Sequence, residues 1–259
     1  MLSAGGLRGV GHLGVLRQLV RQRIRLDVIV GVSAGAIIAA FYAAVGLTVN
    51  EMIEEAHTFR GHHIVMHGLT LRAHTRLKPY LRQYCGVIPE RLRQLEAGRF
   101  DTLYHGVQQI GVVCHDLNRA EPCYFSTGED HGAPLALVVR ASAAVPRVLP
   151  SRTLTLGDRD LRLVDGGVSD SLPIAFAQSA ALGATHLIVS DCRQIVSSRP
   201  PDSDTLVYIR PDLDGVRPLR APRLMNAVWQ GEAAVTDAIL QRIQGWDAQE
   251  PVFSRAARG

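Results

Sequence analysis

Apolar positions along the chain switch between helical and strand spacing. Val10, Leu13, Leu16, Leu19 and Val20 recur every three or four residues, which predicts an amphipathic helix over residues 10–23. Gly11 and Gly14 on that helix predict close packing against a strand. The β-branched run at 27–30, Asp-Val-Ile-Val, reads as a buried strand. Residues 34–45 are rich in helix formers and stop before Gly46, and a further helix is predicted over 49–59. From 60 to 99 the pattern is helical but broken, with His62, His63, His67 and His74 in a polar connection.

Strand spacing returns at 109–114 and 122–126, followed by a helix over 134–144 and a short strand at 161–164. A helix over 172–182, strands at 185–190 and 205–209, and a closing helix over 224–243 complete the pattern. Residues 194–204 read as a loop and 254–259 as a frayed end. This order predicts an α/β fold in three layers, a mostly parallel sheet covered by helices on both faces. With 259 residues and 47% hydrophobic content, one domain can bury a large core. No composition shift or repeat divides it, and 210–259 reads as a helical closing segment of the same domain.

The longest apolar tract, 34–45, falls short of the ~18 to 20 residues a membrane span needs. The opening Met1-Leu2-Ser3-Ala4-Gly5-Gly6 lacks a basic region followed by an apolar one, so a cytoplasmic protein is expected. The first strand is only about three residues long, which suggests a misassigned or trimmed start. Cys85, Cys114, Cys123 and Cys192 lack metal or redox spacing and read as reduced thiols. A net charge of +4, mostly arginine spread over several helices, suits peripheral contact with an anionic membrane surface or phosphate headgroups. Without a dense basic stripe carrying aromatics, nucleic acid is not an expected partner.

Three segments carry candidate chemistry. Gly31-Val32-Ser33-Ala34-Gly35 lies at a strand-to-helix turn, where a serine either serves as an exposed nucleophile or caps the helix. Ser3-Ala4-Gly5-Gly6-Leu7-Arg8-Gly9 opens the first helix, where backbone N–H groups favour an anion. Leu163-Val164-Asp165-Gly166-Gly167 places an acid at the carboxyl end of a strand, where open α/β sheets build their sites. His63 and His67 have the spacing of two metal ligands, but no carboxylate or cysteine nearby completes a set, and no metal or cofactor is expected. His12 could approach the glycine loop, although a packed helix histidine accounts for it equally simply.

Taken in order, these three segments resemble the patatin-like phospholipase family. The resemblance extends to Gly9-Val10-Gly11-His12-Leu13-Gly14-Val15-Leu16, to Ala141-Ser142-Ala143-Ala144-Val145-Pro146-Arg147-Val148-Leu149-Pro150, and to Asp165 through Pro173. It covers about residues 2–209 and is weakest over 60–99. It implies a patatin-like α/β/α sandwich and hydrolysis of lipid acyl esters: phospholipid, lysophospholipid or neutral glyceride. Ser33 would be the nucleophile, Asp165 the proton acceptor of a Ser-Asp dyad, and the backbone of Gly5, Gly6, Leu7, Arg8 and Gly9 the oxyanion hole. Gly31, Gly35, Gly166 and Gly167 would shape the turns. Arg8 would hold a phosphate or, as its place inside the tight turn favours, structure the loop. One departure is Ala4, where the family's loop carries glycine.

The expected acyl pocket is formed by the 60–99 region and the C-terminal helix. A Ser-His-Asp α/β-hydrolase fits poorly, because Ser33 comes early and no histidine follows His186. A nucleotide-binding reading of the glycine loop leaves Ser33 and Asp165 unexplained. A non-enzymatic scaffold on the same fold is the remaining alternative.

Overall fold

The computed structural model describes residues 1–129, 132–196, 199–201, 203–216 and 224–249. A 3-10 turn at Gly6–Val10 leads into α1 (Gly11–Arg21), then β1 (Val28–Val32) and α2 (Ala34–Ala40). A π turn over Phe41–Val45 extends α2 to Gly46, whose φ of +84° stops it. α3 (Val49–Thr58) follows, opened by a capping box between Thr48 and Glu51. The 60–99 stretch resolves into α4 (Gly61–Arg72), α5 (Lys78–Arg82) and α6 (Ile88–Leu95). Next come β2 (Gln109–Asp116), β3 (Glu121–Ser126), α7 (Leu135–Ser142), β4 (Arg152–Leu156) and β5 (Arg159–Asp165). α8 (Ile174–Gln178), β6 (Leu187–Ser190), β7 (Leu206–Ile209), α9 (Leu224–Ala233) and α10 (Asp237–Gln249) complete the described chain.

The parallel part of the sheet is as expected: β1 pairs with β2, β6 pairs with β7, and Leu2 bridges β1 to β6. The expectation of a mostly parallel sheet does not extend to its other half, because β3, β4 and β5 all pair antiparallel. The cause is a hairpin that the sequence reading reduced to one strand at 161–164. Leu156 faces Arg159 across Gly157-Asp158, a two-residue turn, so β5 returns reversed against β2.

Alternate residues of β1 and β2 enter opposite cores. Ile29, Ile110, Val112 and Cys114 pack with α1, α2 and α7, while Val30, Val32 and Val113 meet Phe176 and Ala177 of α8. Helices therefore cover both faces. Gly11 and Gly14 pack on a helix rather than a strand, since a Cβ at Gly14 would collide with the Val228 carbonyl of α9. The closing helix is two helices, α9 and α10, and the helix expected over 172–182 shortens to α8. Residues 254–259 and part of the 194–204 loop lie outside the described residues.

Candidate active site

β1 delivers Ser33 at its carboxyl end, and the chain turns into α2 within that one residue. Ser33 takes φ 55° and ψ −120°, a conformation rarely adopted outside glycine and costing roughly 1–3 kcal/mol. Although Ser33 occupies the N-cap position, its side chain makes no capping hydrogen bond. It donates instead to Asp165 Oδ2 at 2.6 Å. Gly31 and Gly35 permit the turn: a Cβ at Gly31 would strike the Gly35 carbonyl, and one at Gly35 would lie 2.7 Å from the Ser3 carbonyl oxygen.

Asp165 ends β5, with its backbone N–H donating to the Ala144 carbonyl at 3.1 Å. Its Oδ1 accepts the Gly167 N–H at 2.8 Å, which fixes the carboxylate while Oδ2 faces the serine. Gly166 packs so closely on the Val113 carbonyl that a side chain would collide with it. Ser33 and Asp165 are 4% and 6% exposed. Burial pushes the Asp165 carboxyl above the usual aspartate range, opposed by the bonds from Ser33 and Gly167.

The two strands share a ruler. Val113 of β2 pairs with Val32, the residue before the serine, and its neighbour Cys114 pairs with Asp165. Ser142, to which the sequence reading gave no role, ties the same point together. Its hydroxyl donates to the Val113 carbonyl at 2.6 Å and accepts the Ser33 N–H at 2.9 Å. The only sequence signal for it was its place in the 141–150 segment.

In the glycine loop, Gly6 carries the positive φ of 53°, while Ala4 is not among the positive-φ residues. Alanine is therefore unstrained there, and its N–H donates to the Ser171 carbonyl at 3.1 Å. Gly6, Leu7 and Gly9 border the same cavity as Ser33. Gly5 packs against Cys192 instead. The Arg8 guanidinium turns away, donating to the Cys192 and Leu213 carbonyls at 3.3 and 2.7 Å, and its N–H donates to the Gly5 carbonyl. Arg8 structures the loop; its side chain does not face the cavity.

His12 is fully buried and bonds neither Ser33 nor Asp165; its ring meets the Ser3 carbonyl at 3.0 Å and Ser190 Oγ at 2.7 Å. Because a carbonyl can only accept, Nε2 carries the proton and Nδ1 accepts from Ser190. Burial lowers its pKa to about 4. His63 Nδ1 accepts the Arg60 N–H at 3.2 Å, closing the start of α4, while His67 borders the cavity. Among the described residues no cluster of His, Cys, Asp or Glu could hold a metal.

The cavity over Ser33 has a volume of about 310 Å³. Ile37 and Phe41 from α2 and its π turn, Met52 from α3, Leu92 from α6 and Val139 from α7 form much of its apolar wall. The 60–99 region contributes as expected. The C-terminal helix does not: no described residue of α9 or α10 reaches the cavity, because α9 is packed on α1. Glu55, His67, Arg91, Arg140 and Arg152 add a polar side.

The sequence matches the family described as patatin-like phospholipase over residues 1–177. An uncharacterized NTE family protein of Mycobacterium tuberculosis is 29% identical over 179 residues, 67% of this chain and 43% of that protein. Lysophospholipase nte1 of Emericella nidulans is 28% identical over 207 residues, 77% of this chain and 12% of that protein. The chain thus spans less than half the length of these relatives. Among solved structures, VipD from Legionella pneumophila shares the fold at a TM-score of 0.51 and 13% identity, covering 94% of this chain and 66% of VipD.

Proposed function

We propose that this chain, which belongs to the patatin-like phospholipase family, is a serine acyl hydrolase that cleaves lipid esters through a Ser33–Asp165 dyad. The observation that carries this reading is the 2.6 Å bond from Ser33 Oγ to a buried carboxylate, beside an apolar cavity able to take an acyl chain. Asp165 Oδ2 accepts the hydroxyl proton as Oγ attacks the ester carbonyl. Its raised pKa makes the ionised carboxylate a stronger base than a free aspartate. The tetrahedral oxyanion takes hydrogen bonds from N–H groups of the glycine loop, a reading supported by Gly6 and Leu7 lining the cavity at the head of the 3-10 turn. Collapse expels the alcohol, which takes the proton from Asp165, and leaves an acyl-Ser33. Water then attacks the acyl carbon, giving its proton to Asp165, and Oγ leaves with that proton.

The lysophospholipase among its relatives supports a single-chain lipid substrate. Exposed Val65, Leu69, Leu77, Tyr80 and Tyr84, interspersed with exposed Arg72, Arg76, Lys78 and Arg82, support peripheral contact of the α4–α5 segment with an anionic membrane. No helix among the described residues is long and apolar enough to cross one. A fluorophosphonate probe tests the nucleophile: it labels the native protein, and Ser33→Ala abolishes labelling. Labelling that persists in the variant overturns the assignment, and a native protein that never labels favours the scaffold alternative.

A further inference from the structure

The cavity beside Ser33 has more cationic groups than an acyl chain requires. Arg91, Arg140 and Arg152 all border it, and among the described residues lining it Glu55 is the sole carboxylate. Glu55 is already paired with Arg91. Arg140 reaches only Glu96, an exposed carboxylate 3.6 Å away, and no carboxylate among the described residues lies within ion-pair distance of Arg152. The Nε atoms of all three guanidiniums are buried without a hydrogen-bond partner among the described residues. A guanidinium cannot shed its proton, so a buried donor left in this state is costly unless something else satisfies it. The positive field is also felt by His67, which burial, then Arg140 and Arg152, hold below its ordinary range.

Phosphate suits this arrangement because its several oxygens accept from more than one guanidinium fork at once. Arg140 stands on α7 two residues before Ser142, whose hydroxyl accepts the nucleophile's N–H. Arg140 and Ser33 line the same cavity, so the cationic side and the serine share one chamber. With Glu55 occupied by Arg91, no free carboxylate among the described residues lines the cavity to meet a choline ammonium.

We infer that Arg140 and Arg152, backed by Arg91, form a headgroup subsite for the phosphate of an anionic glycerophospholipid, and that this subsite selects such lipids over neutral glycerides. The inference rests on the proposed hydrolase reading and names the substrate class of that same cavity.

The test compares kcat/KM of the full chain for 1-oleoyl-lysophosphatidate, 1-oleoyl-lysophosphatidylcholine and 1-oleoylglycerol in one mixed-micelle system. The native protein prefers lysophosphatidate over oleoylglycerol by about tenfold or more, the discrimination expected from one or two charge-assisted bonds. Lysophosphatidylcholine falls between. Arg152→Gln and Arg140→Gln bring the ratio toward one, and Arg152→Lys retains part of it. An unchanged ratio in both glutamine variants overturns the subsite. Binding to Ser33→Ala, read by calorimetry, separates this from the chemistry: lysophosphatidate binds more tightly than oleoylglycerol even if Ser33 proves not to be the nucleophile. Inorganic phosphate alone reads the other source. If it inhibits p-nitrophenyl butyrate hydrolysis at submillimolar concentration while the lipids are not discriminated, the site binds free phosphate and the headgroup assignment fails.

Discussion

Ser33 donates directly to Asp165 across 2.6 Å, from two strands registered on adjacent residues of β2. In the proposed mechanism the carboxylate takes the place of a histidine base. That mechanism puts the burden on a buried aspartate and on the proposed oxyanion donors.

Asp165→Asn keeps the hydrogen-bonding shape but cannot accept the hydroxyl proton. Turnover of short acyl esters should fall by ~10² to 10⁴, the usual worth of a positioned general base. Steady-state kinetics on p-nitrophenyl butyrate checks this, and activity within threefold of native would mean that another group activates Ser33.

The same substitution should stabilise the protein. The folded pKa of Asp165 lies above its unfolded value, so the folded state retains a proton that the unfolded chain has already lost. Stability from this group is therefore undiminished below the ordinary aspartate range, falls as pH rises through the folded pKa, and stays reduced at neutral pH. Asp165→Asn should melt higher than native at pH 7, and the two should converge near pH 3. The acid limb of native kcat/KM should sit above the ordinary aspartate range, because only the ionised carboxylate accepts the proton.

Ser142→Ala removes the hydroxyl that joins the Ser33 N–H to the Val113 carbonyl. Two buried polar groups lose their partner, at about 1–3 kcal/mol for each left unsatisfied. Denaturant melts should show a loss of about 2–6 kcal/mol if both stay unsatisfied. If Ser142 positions the nucleophile, kcat should fall about tenfold with KM nearly unchanged, and Ser142→Thr should restore part of it. A loss of stability with unaltered kcat would reduce Ser142 to a packing role.

His12 should govern acid sensitivity of the fold. Its pKa is depressed to about 4 in the folded state, against about 6.5 in an unfolded chain. The unfolded state therefore gains a proton first, and stability is lost as pH falls from about 6.5 to about 4, by roughly 3 kcal/mol in total. His12→Gln, which can still donate to the Ser3 carbonyl, should flatten that part of the stability–pH profile. A profile identical to native would assign the acid sensitivity elsewhere.

The sequence made the glycine loop, the Ser33 turn and Asp165 readable because each depends on local demands: a turn without room for a Cβ, a strand end, a helix start. Strand direction was less readable. β5 runs antiparallel because Gly157-Asp158 closes a hairpin, and the sequence reading assigned no element to the alternating residues of β4. Ser142 and the arginines posed a different difficulty. Arg91, Arg140 and Arg152 sit on separate elements and show no pattern along the chain; only the packing of α6, α7 and β4 brings them to one cavity. The single closing helix was drawn from a continuous apolar pattern, yet α9 turns back onto α1 and α10 packs near β7.

Because the groups that hold Ser33 against Asp165 come from β2, α7 and the Gly166-Gly167 turn, the proposed reacting pair and the cavity wall are separable parts. α3 to α6 supply much of the chamber wall but none of the hydrogen bonds that hold Ser33 against Asp165. That segment is therefore interchangeable: a graft of different helices between Gly46 and Gln109 would recast which lipids enter while the chemistry beneath keeps its alignment.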